Sequence, residues 1–351
     1  MGGRVRSAMV AGIAWVLVAL SIVVLGGACG DDDSGGGSQG ASVSKDEYRG
    51  DTLRVANCCG PWNEETVKSV DKRFTEMTGA KVAYTESYAQ QLAPQVIAAG
   101  GQNPPYDVVF LDDQVQTQLA ERDLIEKYDP ETLTMAADVE LPELNEGYPP
   151  GGWLWYAGFV YNADKLEEAG IPAPKSWADL WNPKLAGKVA IPSLATPQGF
   201  ATIVAAAAVA GADPYDVEAG IEKLAELDLY SVYSSSSQYQ TDLTNGNIWL
   251  AVGTDGRAYQ LQDAKEPIEF VVPEVPGTGK QGFVNRITVD IATGTQNEEL
   301  AKIYQQIASD VQSQVDLAPV GGYSPILKEA QDQIVADEPK WGKRWPEPSE
   351  A

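Results

Sequence analysis

Histidine is missing from all 351 residues. That absence excludes the Ser-His-Asp and Cys-His nucleophile systems, the HExxH zinc helix and any histidine-rich metal-import site. Cysteine is nearly as scarce. The three are Cys29, Cys58 and Cys59, and none is spaced as a CxxC metal or redox pair. No phosphate-binding loop is present either: Gly277-Thr278-Gly279-Lys280 lacks both the upstream glycine and the following Ser or Thr. Basic residues are the third shortage, with 25 Lys and Arg against 50 Asp and Glu and a formal charge of -25. A surface of that sign repels a phosphate backbone and excludes nucleic acid as a partner. Carboxylate chemistry is what remains open to an enzyme.

Long apolar stretches are limited to one, residues 8–24, with Arg4 and Arg6 before it and Leu25-Gly26-Gly27-Ala28-Cys29 after it. A basic start, an apolar run shorter than the ~20 residues of a spanning helix and small residues before a cysteine read as a secretory signal over 1–28. The end of that segment resembles a bacterial lipobox, which implies a lipid on Cys29 after cleavage; an uncleaved membrane anchor is the alternative. Both readings place the remainder outside the cytoplasm. Residues 29–50, opening Gly30-Asp31-Asp32-Asp33-Ser34-Gly35, offer little to bury and read as a flexible tether. In an oxidising compartment Cys58 and Cys59 form either a vicinal disulfide or two buried thiols.

From residue 51 onward the pattern alternates. Strand 53–56, helix 64–78, strand 81–84, helix 89–99 and strand 107–111 follow from apolar spacing;. Such alternation predicts a mostly parallel sheet covered by helices. The Pro/Gly/aromatic stretch 148–156 reads as a crossing into a second α/β series. That series has helices at 163–169, 178–182, 199–210, 214–227 and 239–245 and strands at 188–191, 248–252 and 268–272. Residues 282–291 carry the chain back, and 298–310 form an amphipathic helix;. The fold class expected is α/β and two-lobed, two mostly parallel sheets with helices on both faces and a ligand cleft between lobes. Lobe 1 is 51–150 plus about 284–318, and lobe 2 is about 155–280 plus about 320–351;.

Phe159-Val160-Tyr161-Asn162-Ala163-Asp164-Lys165-Leu166 and Pro174-Lys175-Ser176-Trp177-Ala178-Asp179-Leu180-Trp181-Asn182-Pro183-Lys184-Leu185-Ala186-Gly187-Lys188-Val189 carry a family likeness. So do Asn245-Gly246-Asn247-Ile248-Trp249 and Thr295-Gln296-Asn297-Glu298-Glu299-Leu300. In this order they resemble bacterial extracellular solute-binding proteins of the spermidine/putrescine and ferric-ion group. The resemblance implies two hinged lobes that close on one small solute and dock on an ABC permease, with no catalysis and no cofactor. It further implies a monomer, lipid-anchored on the extracytoplasmic face of the cell membrane or free in the periplasm. These motifs are structural, and Trp177 reads as a packing residue.

The loops depart from both cationic ligands of that group. Pro192-Ser193-Leu194-Ala195-Thr196-Pro197-Gln198-Gly199 holds no acid, and Phe283-Val284-Asn285-Arg286-Ile287-Thr288 holds neither Trp nor Asp. Tyr259 stands alone where ferric binders place adjacent tyrosines, so no metal is expected. What the loops offer is Thr196, Gln198, Arg257, Asn285 and Arg286, a helix start near Gly199, and Asp255. Guanidiniums beside free helix N–H groups favour an anionic or zwitterionic solute, although a salt bridge is the alternative for either Arg. Cys59 and, after the Cys58-Cys59-Gly60-Pro61 turn, Trp62 stand where the family places ligand contacts, a helix-start packing role against Thr66 or Val67 being the alternative for Trp62; Trp62, Tyr156, Tyr233 and Tyr323 supply aromatic faces;. Asp112 supplies a negative group suited to a zwitterion, or equally a helix cap. The competing readings are a polyamine binder drawing on Asp112, Asp113 and Asp255, and a secreted carboxylate enzyme acting on glycosides.

Overall fold

The computed structural model describes residues 47–58, 60–135, 139 and 147–345. Its first half follows the apolar spacing. Strand β1 (Thr52–Asn57) leads into α1 (Pro61–Thr66), which continues through a π turn at Val67–Asp71 into α2 (Lys72–Thr78). Gly79, at φ 77°, takes the left-handed conformation that ends the helix;. Then come β2 (Lys81–Glu86), α3 (Ala89–Ala99), β3 (Val108–Asp112) and α4 (Asp113–Ala120). β1 lies between β2 and β3, parallel to both, as helical crossovers require.

The stretch 148–156 opens β4 (Trp153–Asn162), a strand buried at every position. The second series is α5 (Ala163–Glu168), β5 (Val189–Pro192), α6 (Pro197–Val209), α7 (Val217–Leu224), β6 (Ser231–Tyr233), α8 (Ser236–Thr244), β7 (Leu250–Thr254), α9 (Asp255–Asp263) and β8 (Ile268–Val271). Here β5 lies between β6 and β7, again parallel to both. A small hairpin, β9 (Glu274–Val275) and β10 (Lys280–Gln281), precedes β11 (Phe283–Ile291). The chain closes with α10 (Glu298–Ser309), α11 (Val311–Gly321), β12 (Ser324–Pro325), α12 (Lys328–Asp337) and α13 (Trp341–Arg344).

The two expected sheets are joined. β4 and β11 pair antiparallel along Trp153–Ala157 and Phe283–Ile287; beyond that overlap β4 continues against β7 and β11 against β3. The hydrogen-bonded path therefore runs β2-β1-β3-β11-β4-β7-β5-β6. Each end is a parallel trio, and the crossing strands between them are antiparallel. β6 escaped the sequence reading because three residues carry no period, and as an edge strand it leaves Val232 56% exposed. The sequence reading also left residues 311–337 without elements; α11 and α12 lie there.

Each end has its own core. Leu53, Val55, Phe74, Val108 and Tyr304 pack at one, and Phe159, Trp177, Ile191, Leu250 and Val252 at the other. Trp177 is fully buried, edge-on to Phe159 with ring centroids 5.0 Å apart. Two of the glycines hold backbone against backbone: a Cβ on Gly256 would run into the Gly321 carbonyl, and one on Gly322 into Gly256. Gly256→Ala is therefore expected to lower the unfolding free energy by about 1–3 kcal/mol through overpacking, read as the midpoint of urea unfolding. An unchanged midpoint would show that the two segments can part at no cost.

Candidate functional site

In open parallel sheets loops gather at the carboxyl ends of the strands, and here both trios point those ends at one cavity of about 390 Å³. From the first trio, the loop after β1 supplies Asn57, Cys58 and Trp62, the loop after β2 supplies Tyr88 and Gln90, and β3 ends on Asp112. From the second, the loop after β5 supplies Thr196 and Gln198, the loop after β6 supplies Tyr233 and Ser234 to Ser236, and the loop after β7 supplies Thr254 and Arg257. Between them stand Trp155 of β4, Ile287 of β11 and Tyr323.

Charge is divided across this cavity. Asp112, the one carboxylate among its described lining residues, caps α4: its Oδ1 accepts from Val115 N at 3.1 Å and its Oδ2 from Gln90 Nε2. Burial raises its pKa above the ordinary carboxylate range, against the lowering effect of those hydrogen bonds. On the opposite side Arg257 donates to Gln260 Oε1 at 3.2 Å, and among the described residues no carboxylate pairs with it. Its surroundings are rich in donors. The helix cap Ser235 of α8 leaves the first backbone N–H groups without a side-chain acceptor, and uncapped N–H groups at a helix start attract an anion; at α9, by contrast, Gly256 N donates to Asp255 Oδ1. At α6 the cap is closed, with Gly199 N donating to Thr196 Oγ1 at 3.1 Å.

Aromatic faces fill the middle. Trp62, 5% exposed, meets Trp153 edge-on at 5.0 Å and Tyr323 at 4.9 Å. The Tyr233 hydroxyl donates to Val252 O at 2.6 Å, so its ring rather than its oxygen is free to face a solute.

Seven of the residues expected from sequence line the cavity together: Trp62, Asp112, Thr196, Gln198, Tyr233, Arg257 and Tyr323. Four others are placed elsewhere. Tyr156 is fully buried beside Leu154, Ile326 and Leu327, because side chains alternate along a strand and Trp155 takes the cavity face. Asp255 is fully buried, its Oδ1 accepting from Gly256 N at 2.8 Å and Tyr156 N at 3.2 Å; burial pushes its carboxyl up to about 8 despite those bonds. Asn285, register partner of Trp155, is buried outside the lining. Arg286 lies on the face opposite Ile287, with its Nε 3.4 Å from Asp113 Oδ1 and its backbone N donating to Asp113 Oδ2 at 2.9 Å. It is the salt bridge of the alternative reading, and burial pushes Asp113 up to about 6 even beside that cation.

Cys59 and Cys29 lie outside the described residues, as does the signal segment. Cys58 is disulfide-bonded. Sequence reasoning missed Tyr88, Gln90, Trp155 and the serines 234–236. The carboxyl-end rule applied to β2 would have found the first two, and the serine run Ser234 to Ser237 follows a strand too short to be recognised. No group of three or more Cys, Asp or Glu able to hold a metal occurs among the described residues, and no described helix is long and apolar enough to cross a membrane.

Two α/β halves joined by crossing strands, with one cavity between them, define a two-lobed binding-protein fold. The chain belongs to the bacterial extracellular solute-binding protein family, whose match spans residues 69–347. A spermidine/putrescine-binding periplasmic protein of Salmonella typhimurium is 25% identical over 235 residues, 65% of each chain. A putrescine-binding periplasmic protein of Pseudomonas aeruginosa is 26% identical over 249 residues, 65% of this chain and 67% of that one. The similarity thus spans just under two thirds of the length of the first of these relatives. Among solved structures, an ABC transporter protein of Clostridium perfringens superposes with TM-score 0.64 at 26% identity, covering 79% of this chain and 86% of that one. A GABA receptor superposes with TM-score 0.70 at 22% identity, covering 84% and 88%, which establishes fold alone.

Proposed function

We propose that this protein is the solute receptor of an ABC-type importer, held outside the cytoplasm by a lipid on Cys29, and that it captures a small amine-bearing zwitterion for delivery to a permease. The observation that carries the solute class is the pairing of Asp112 with an Arg257 that has no described acid partner, facing one cavity from opposite lobes. An ammonium suits the Asp112 side, whose carboxylate is already oriented by two hydrogen bonds. A carboxylate suits Arg257 and the open N–H groups of α8;. Trp62, Trp155 and Tyr323 offer ring faces to the aliphatic part of such a solute;. The lobes in this reading are residues 51–150 with about 284–318, and about 155–280 with about 320–351, hinged where β4 and β11 cross;.

A polyamine is the second reading, favoured by the names of the curated relatives. Its difficulty is charge: the second ammonium of a diamine would leave water for a guanidinium. The glycoside reading asks for two carboxylates facing one bond, and Asp112 is the one carboxylate among the described lining residues.

The experiment is a thermal-shift panel of amino acids, ω-amino acids, polyamines, organic acids and sugars. A ligand at a hundred times its dissociation constant is expected to add ~2.7 kcal/mol of stability. A hit among zwitterions supports the proposal. A hit confined to polyamines replaces the solute class and keeps the receptor, whereas silence throughout removes both.

A further inference from the structure

Arg257 sits in the first turn of α9, and the far end of that helix is gripped by the last described residues of the chain. The Arg344 guanidinium donates to both oxygens of Asp263, at 2.7 and 3.3 Å, and Lys340 Nζ donates to the same carboxylate at 3.3 Å. That guanidinium also lies 5.1 Å from the ring centroids of both Tyr259 and Trp341, and the Tyr259 hydroxyl donates to the Arg344 carbonyl. Trp345 stacks on Trp341 at 5.0 Å and donates through Nε1 to Gly322 O at 3.3 Å. Gly322 is the left-handed turn that packs on Gly256 and delivers Tyr323 to the cavity.

We infer that Arg344 is a positioning residue for the solute site: segment 340–345 braces α9 against the Gly322 turn, and so fixes where Arg257 stands. The inference rests on reading the cavity as the solute site. An exposed ion pair would matter little, but the Arg344 side chain is only 13% exposed, is bound through two nitrogens and lies against two rings, which makes it a planar clamp. Asp263 stands six positions after Arg257, about 9 Å along a helix. A rigid helix transmits a tilt over that distance.

Two arms test it on the full chain with Arg344→Met and Asp263→Asn, both changed at partly exposed side chains. In hydrogen exchange, amides of 254–258 are expected to lose protection by about tenfold, one 1.4 kcal/mol step, while β1 stays unchanged. Loss confined to residues 340–345, or no loss, overturns the brace. In calorimetric titration with 4-aminobutanoate and 1,4-diaminobutane, the variants are expected to bind the first about tenfold more weakly and the second unchanged, because only the first carries a group for Arg257. They are also expected to add nothing once Arg257→Ala is present. Equal weakening of both probes, or full additivity, overturns positioning through Arg257. If the unaltered protein binds neither probe, the solute class proposed above falls, and hydrogen exchange alone decides the brace.

Discussion

Arg257→Ala is expected to weaken a carboxylate-bearing solute by about 100-fold while leaving unfolding within about 0.5 kcal/mol of the parent. The first figure follows from losing a charge-assisted hydrogen bond of about 1.5–3 kcal/mol. The second follows because Arg257 has no described acid partner to strand;. Arg286→Ala is expected to do the reverse. Its side chain is 8% exposed and that of Asp113 14%, so removing it leaves a buried carboxylate uncompensated, at a cost of about 3–5 kcal/mol. Titration and urea unfolding on the two variants separate these effects. Should Arg286→Ala weaken binding in a folded protein more than Arg257→Ala does, the two residues have been assigned to the wrong jobs.

Asp255→Asn is expected to stabilise the protein progressively as pH rises. Burial pushes the folded carboxyl up to about 8 from an ordinary 3.8. Between those values the unfolded chain has lost a proton that the folded protein keeps, so stability falls with rising pH. The contribution is fully present below 3.8 and is gone once pH has passed through about 8. Asparagine keeps the oxygen that accepts from Tyr156 N and Gly256 N, and its amide replaces an Oδ2 that has no hydrogen-bond partner. The stability difference between variant and parent is expected to grow by about 1.4 kcal/mol per pH unit across that window, measured by urea unfolding at pH 5, 6, 7 and 8. A difference independent of pH would mean that Asp255 is ionised when folded. Asp290, pushed up to about 7 by burial, titrates in the same window, which is why the comparison with the parent is needed.

The sequence by itself determined the alternation of strands and helices, the family likeness and the loops in which the cavity residues stand. All three are local or ordered along the chain: apolar period identifies each element, and parallel strands joined by helices place their following loops at one end. Trp62, Asp112 and Arg257 were legible for that reason. Which face a residue takes was decided only by tertiary structure. Tyr156 and Trp155 differ by one position in a strand buried on both sides, where no alternation of polarity marks the cavity face. Pairing was likewise invisible, since Asp113 and Arg286 stand 173 residues apart and nothing local distinguishes Arg286 from Arg257. The antiparallel meeting of β4 and β11 decides both, because it turns Trp155 and Ile287 toward the cavity and Arg286 onto the acid behind it.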